Sequence, residues 1–409
     1  MNLNIKTILG GITAPKGFLA SGIHCGLKKS KEQKDLALIY SEAPCSAAGV
    51  FTSNKVKGAP IYISKEHLSN KKAQAVIINS GNANTCNGDD GLGKAKKMTI
   101  ETAKSLNISI EDVLVASTGV IGVPLNIDLI EAFIPSLAKC LSKEGSSDAS
   151  SAIMTTDTFK KELAIEVTIG GKTVTIGSMS KGSGMIEPNM CTMLAFVTTD
   201  VNISPELLEE ALTKTAEVSY NRVSVDGDTS TNDTLLILAN GLAENPIIDT
   251  KNHDYYAFVE ALEYLNVYLA KKIAQDGEGA TKLIECKILG ATSEENALLL
   301  SKSVINSPLV KTAIFGCDAN WGRILCALGY AKVNFDPEKV NVYFESCAGS
   351  IIVCRNGSSV GFNEDVALKI LKEKEILIKV ELFMGDYEVS TWGCDLSYDY
   401  VKINGDYRS

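Results

Sequence analysis

At 409 residues, with 45% hydrophobic and 22% charged residues, the chain can build a large core and divide it between two domains. Its net charge of −9 argues against a nucleic-acid or anionic-membrane surface, while a local basic pocket for an acidic metabolite remains compatible with it. Eleven cysteines without a Cys-x-x-Cys pair, no run of 18 apolar residues and no apolar leader-like start lead to the expectation of a soluble cytoplasmic protein with reduced thiols, no disulfide framework and no metal site.

Residues 1–60 are rich in glycine, alanine and turn formers, with a strand expected at 36–40. A short buried strand at 75–79 runs into Ser80-Gly-Asn-Ala-Asn-Thr-Cys-Asn-Gly-Asp-Asp-Gly-Leu-Gly93, a polar turn before a helix at 93–106. Its two last glycines do not make a dinucleotide or P-loop fingerprint. A strand at 113–116 ends in Ser117-Thr-Gly-Val-Ile-Gly122. Glycines there suit either an ordinary strand-to-helix turn or an oxyanion site built from backbone N–H groups. A helix at 127–142 follows.

Strict alternation from Leu163 to Ile169, the pair Gly170-Gly171 and renewed alternation at Val174 and Ile176 predict a β-hairpin over 161–176. Next comes Lys181-Gly-Ser-Gly-Met-Ile-Glu-Pro-Asn-Met-Cys-Thr192, which reads as an exposed polar loop meeting a buried strand at 193–197. Thr192 stands at the seam, either as a strand residue or as an amino-terminal nucleophile released by cleavage of the Cys191–Thr192 bond.

Ser204-Pro205 caps a helix to about 218. The turn Val223-Ser-Val-Asp-Gly-Asp-Thr-Ser-Thr-Asn-Asp233 suits a hydrogen-bonded turn or a hard cation, and the absence of calcium-loop spacing favours the turn. Expected beyond it are a strand at 235–239, a helix at 253–275, a strand at 282–289, a helix opening at Ser293, a strand at 311–315, a helix opening at 318–323, strands near 340–345 and 376–384, a helix near 363–373, and a terminal helix finishing near Asn404. The domains expected are 1–285, holding the cleavage site, and a smaller α/β domain over 286–409.

Only His24, His67, in a lysine-rich surface-like segment, and His253, at a helix start, are available, so a Ser/His or Cys/His nucleophile is poorly supplied. A threonine activated by its own α-amino group needs no histidine, because that amine has a reference pKa of about 7.7–8.0.

The stretch from Lys181 to Leu194 resembles the cleavage segment of the ornithine acetyltransferase family of arginine biosynthesis. The likeness extends to Gly11-Ile-Thr-Ala-Pro-Lys-Gly-Phe18, Ser80-Gly-Asn-Ala-Asn84, Ser117-Thr-Gly-Val-Ile-Gly122, Met154-Thr-Thr-Asp-Thr158, Ser224-Val-Asp-Gly-Asp-Thr-Ser-Thr-Asn-Asp233, Asn320-Trp-Gly-Arg323 and Tyr400-Val-Lys-Ile-Asn-Gly-Asp-Tyr-Arg-Ser409, in the family's order.

It implies a layered α/β sandwich of the self-cleaving type, cut into an α chain (1–191) and a β chain (192–409) that associate as two α and two β chains. It implies Thr192 as nucleophile, Thr118 and Gly119 as the oxyanion hole, and Thr155, Lys181, Glu278, Asn404 and Ser409 as substrate contacts. The reaction implied moves acetyl from N2-acetylornithine to glutamate, giving ornithine and N-acetylglutamate, with no cofactor. It leaves open whether acetyl-CoA is a second donor. Cys191 stands where the family usually has alanine. The rival readings are an amino-terminal-nucleophile aminopeptidase or amidase, and a non-catalytic binding protein for acidic metabolites.

Overall fold

The computed structural model describes residues 3–187 and 193–406, and its chain divides into two units, each built on its own mixed sheet. The first comprises Met1–Gly182, Pro188–Asn221 and Thr229–Leu269; the second comprises Ser183–Glu187, Arg222–Asp228 and Ala270–Ser409.

In the first unit the strands lie in the order Lys6–Ile8, Lys161–Ile169, Lys172–Lys181, Leu194–Thr199, Thr234–Ala239, Leu36–Phe51, Lys72–Asn82, Val113–Val120, and Phe18–Ile23 also pairs with Leu36–Phe51. Two neighbour pairs are parallel: Leu194–Thr199 with Thr234–Ala239, and Lys72–Asn82 with Val113–Val120. The apolar runs of the sequence are explained by burial on both faces. Leu36, Leu38, Ala75, Ile77, Val113 and Val115 enter one cluster, which also holds Ile63, Met98 and Ile130 from three helices. The alternate residues Ala37, Ile39, Val76, Ile78, Leu114 and Ala116 enter another with Ala149 and Ile153. The expected hairpin is present with Gly170 and Gly171, both at positive φ, as its two-residue turn.

In the second unit the order is Ser358–Ser359, Gly349–Arg355, Asn341–Ser346, Glu375–Glu381, Leu283–Ala291, Tyr387–Cys394, Val223–Ser224. Helices Glu294–Asn306, Pro308–Phe315, Trp321–Gly329 and Glu364–Leu371 contribute Leu300, Ile314, Leu328 and Ile370 to one core with this sheet.

Four expectations change. The unit boundary falls at 269/270 rather than 285/286, and the second unit recruits Val223–Ser224 because it pairs in parallel with Tyr387–Cys394. Residues 308–315 form a helix, not a strand: Pro308 opens it, the Ser307 hydroxyl accepts from the Val310 N–H, and Val310, Ala313 and Ile314 bury one helical face. The strand Tyr387–Cys394 was not expected at all. His67 is buried, with its Nδ1 2.7 Å from the Val113 carbonyl, rather than lying on a lysine-rich surface.

Candidate active site

In the first unit the site residues collect around the end of the parallel pair Lys72–Asn82 and Val113–Val120. The ladder slips there, and Asn82 pairs with both Thr118 and Val120. Gly119 sits at φ +132°, and a Cβ on it would come within 2.3 Å of the Gly81 carbonyl carbon and 2.5 Å of the Asn82 nitrogen. Only glycine fits, for reasons of both conformation and space.

The motifs around this corner brace it. The Ser117 hydroxyl donates to Asn79 Oδ1 at 2.5 Å. Asn232 donates to the Ser117 carbonyl at 2.9 Å and to the Ala83 carbonyl at 2.6 Å. The hydroxyls of Thr85 and Thr231 donate to Asn232 Oδ1. The hydroxyl-rich turn therefore acts as a hydrogen-bonded brace, and among the described residues no His/Cys/Asp/Glu group suited to a metal ion occurs.

Lys181 ends the strand Lys172–Lys181 and is 8% exposed, so it is not a solvated loop cation. Gly182 and Ser183 are buried too, and the exposed loop expected from Lys181 onward is inside the protein for these residues. The Lys181 ammonium donates to Thr118 Oγ1 at 3.3 Å. Accepting from an ammonium polarises the Thr118 hydroxyl and leaves its own proton to be donated, as an oxyanion requires.

Asp157, inside the Met154–Thr158 motif, ties Thr155 to this group. It accepts from the Thr155 N–H at 3.0 Å, the Gly182 N–H at 2.7 Å and the Lys161 ammonium at 2.7 Å. The side chains of Asp157 and Lys161 are both wholly buried. Burial pushes the Asp157 carboxyl up, but the Lys161 and Lys181 cations and the Thr155 amide outweigh it and hold it well below the usual carboxylate range.

A second carboxyl, Asp233, goes the other way. Burial pushes it well above its ordinary value against the opposing pull of Ser230, Thr52 and Lys181. Its neighbour Thr234 donates its N–H to the Met193 carbonyl at 2.9 Å, which aligns the turn with the start of the strand Leu194–Thr199.

The second unit holds Glu278 and Asn404. Asn404 Nδ2 donates to Glu278 Oε2 at 2.7 Å, and the Glu278 N–H donates to the Ser183 carbonyl at 3.0 Å. Gly184 leaves room for this carboxylate, since a Cβ there would fall 2.3 Å from its carboxyl carbon. Asp226 accepts from the N–H groups of Met185 and Ile186 at 2.7 and 2.8 Å. The Ser397 side chain caps the helix Tyr398–Gly405 and also donates to the Gly279 carbonyl. Asn404 lies within that helix rather than at its cap. Burial, then Asp226 and Glu278, raise the Tyr400 phenol.

The structure thus brings Thr118, Gly119, Thr155 and Lys181 together in one unit, and Glu278 and Asn404 in the other. Cys191, Thr192 and Ser409 lie outside the described residues. The sequence reading missed Asp157, Asp233 and Lys28. Asp157 and Asp233 stood in quoted motifs, where the signal was an acid beside residues already singled out; Lys28 carried no local signal.

The ArgJ family profile matches residues 19–409. The chain belongs to the ArgJ family. It is 52% identical over 400 residues to the arginine biosynthesis bifunctional protein ArgJ of Caldanaerobacter subterraneus subsp. tengcongensis, covering 98% of this chain and 99% of that one. It is 51% identical over 398 residues to arginine biosynthesis bifunctional protein ArgJ 1 of Clostridium acetobutylicum, covering 97% of each. Among solved structures, ArgJ of Bacillus halodurans is 43% identical and covers 51% of this chain and 97% of its own, with a TM-score of 0.49. As a member of the ArgJ family the chain is an acyltransferase of arginine biosynthesis, of the ornithine acetyltransferase type. No helix among the described residues is long and apolar enough to cross a membrane.

Proposed function

We propose that this chain moves the acetyl group of N2-acetylornithine to glutamate through an acetyl ester on Thr192, after the Cys191–Thr192 bond has cut itself. The observation that carries the reading is the buried Lys181 ammonium donating to Thr118 beside the glycine-only backbone of Gly119, in a chain of this family.

Cleavage exposes the Thr192 α-amine, whose reference pKa of about 7.7–8.0 suits a general base at neutral pH. The Thr192 hydroxyl attacks the acetyl carbonyl and gives its proton to that amine. The Thr118 hydroxyl and the Gly119 backbone hold the oxyanion, which is stabilised by donors already in place rather than by water that must reorganise. Collapse expels ornithine, protonated by the same amine. The glutamate amine then attacks the ester, and N-acetylglutamate leaves as the Thr192 hydroxyl is restored. Water must be excluded at the ester stage, or the acetyl group would be lost as acetate.

Thr155, Lys181, Glu278, Asn404 and Ser409 contact the substrates in this proposal. The cations suit carboxylates, and Glu278 suits an amine. The α and β chains stay associated, two of each, and the enzyme works in the cytoplasm without a cofactor; acetyl-CoA as a second donor is a separate question. Denaturing electrophoresis with mass spectrometry tests the first step, because a single intact 43.7 kDa chain under processing conditions refutes the nucleophile. Following labelled acetyl from N2-acetylornithine tests the second. Label in N-acetylglutamate supports transfer, whereas label in acetate favours the aminopeptidase or amidase reading.

A further inference from the structure

The side chain of Lys28 runs into the middle of the first-unit group. Its Cγ lies 3.4 Å from where a Cβ on Gly81 would stand, and Gly81 pairs with Gly119 across the strand ladder. Its ammonium donates to the Met154 carbonyl at 2.7 Å, one residue before Thr155, and to the Lys34 carbonyl at 2.8 Å. An ammonium has three N–H donors, so one remains after these two.

The turn that launches Lys28 is held by Asp35, which accepts from the N–H groups of Cys25, Gly26 and Lys28 at 2.6, 3.2 and 2.9 Å. The charged groups that act on Lys28 are Asp35 and Asp157, which attract it, and Lys181, which repels it; His24 Nδ1 sits 3.3 Å from Asp35 Oδ2. Asp157 is already committed to Lys161 and two backbone amides.

We propose that Lys28 is a second cation of the substrate site, paired with Lys181, and that it binds the α-carboxylate of the amino-acid substrates. The inference rests on the acetyl-transfer reading above. Two ammonium groups held near one another gain from an anion placed between them, and the two fixed carbonyl partners set the direction of the remaining N–H. Burial, then repulsion from Lys181, lower the Lys28 ammonium to about 8 against the attraction of Asp35 and Asp157. Its charge therefore fades above about pH 8 when no carboxylate is bound, and a bound carboxylate restores it.

The test uses the full-length processed protein and compares N2-acetylornithine with N-acetylputrescine, the same donor without the carboxylate. Lys28→Gln should raise the KM for N2-acetylornithine and for glutamate by roughly 10- to 100-fold, with kcat changed much less and the first half-reaction with N-acetylputrescine, read without glutamate as acetylation of Thr192, unchanged. In the wild type the KM for glutamate should climb above about pH 8. In Lys28→Arg that climb should disappear while the kcat profile, set by the Thr192 amine, stays. Equal loss on both donors in that first half-reaction, or unchanged KM values in processed Lys28→Gln, overturns the proposal. If Lys28→Gln fails to process, Lys28→Arg decides: recovery of carboxylate-dependent turnover supports it, and equal loss on both donors overturns it. A wild type that transfers no acetyl from N2-acetylornithine instead refutes the underlying reading.

Discussion

Replacing Asp157 by asparagine should be among the most damaging single changes near the site. Both members of the Asp157–Lys161 pair are wholly out of solvent, with Nζ and Oδ1 2.7 Å apart. The substitution takes the carboxylate partner from a wholly buried ammonium, which also contacts the Phe159 carbonyl at 3.5 Å and the Phe159 ring at 4.9 Å. Stripping one partner from such a pair costs about 3–5 kcal/mol. The Asn amide keeps one acceptor for the N–H groups of Thr155 and Gly182, so part of that brace survives.

Urea unfolding in an uncut Thr192→Ala background, where a single chain unfolds, measures the loss. The double variant Asp157→Asn/Lys161→Met should recover at least half of it, because the stranded charge is removed. The pH dependence has a definite sign. The folded Asp157 carboxyl is held below its unfolded value of about 3.9. Its stabilisation is therefore present above that value and is lost as pH falls below about 4 towards the folded pKa. A loss under about 1 kcal/mol, strict additivity in the double variant, or an unchanged acid limb in Asp157→Asn would refute the argument.

Three further outcomes follow from the same geometry. Thr192→Ala should stay as one uncut chain and transfer no acetyl group, read by mass spectrometry and by N-acetylglutamate formation. Thr118→Val, which keeps the shape but removes the hydroxyl that Lys181 polarises, should lower kcat by on the order of 10²–10³ and slow self-cleavage, visible as uncut chain in a time course. Gly119→Ala forces a Cβ against the Gly81 and Asn82 backbone. It should lower the unfolding midpoint as well as activity, whereas a normal midpoint would show that the ladder can open at no cost.

Local patterns in the sequence were enough to define the hairpin expected over 161–176, the helix starts at Ser204-Pro205, Ser293 and 318–323 and the buried strands, because alternation and caps act within a few residues. The family resemblance, not local pattern, is what implied Thr118, Gly119, Lys181, Glu278 and Asn404 as site residues. What local pattern misjudged was 311–315, where a short apolar run suits either strand or helix and the Ser307-Pro308 start decides for the helix Pro308–Phe315. It also missed Tyr387–Cys394, whose strand exists through pairing with Leu283–Ala291.

Tertiary structure alone decided which distant side chains share a space. Sheet order sets Gly119 against Gly81, and Gly81 against the stem of Lys28, although the three are far apart in the chain. It also placed Lys181 in a buried strand end rather than a solvent loop, and so turned a solvated cation into one whose charge acts on Thr118, Asp157 and Lys28. Charges interact through space and through the medium between them, and neither quantity is written in sequence separation.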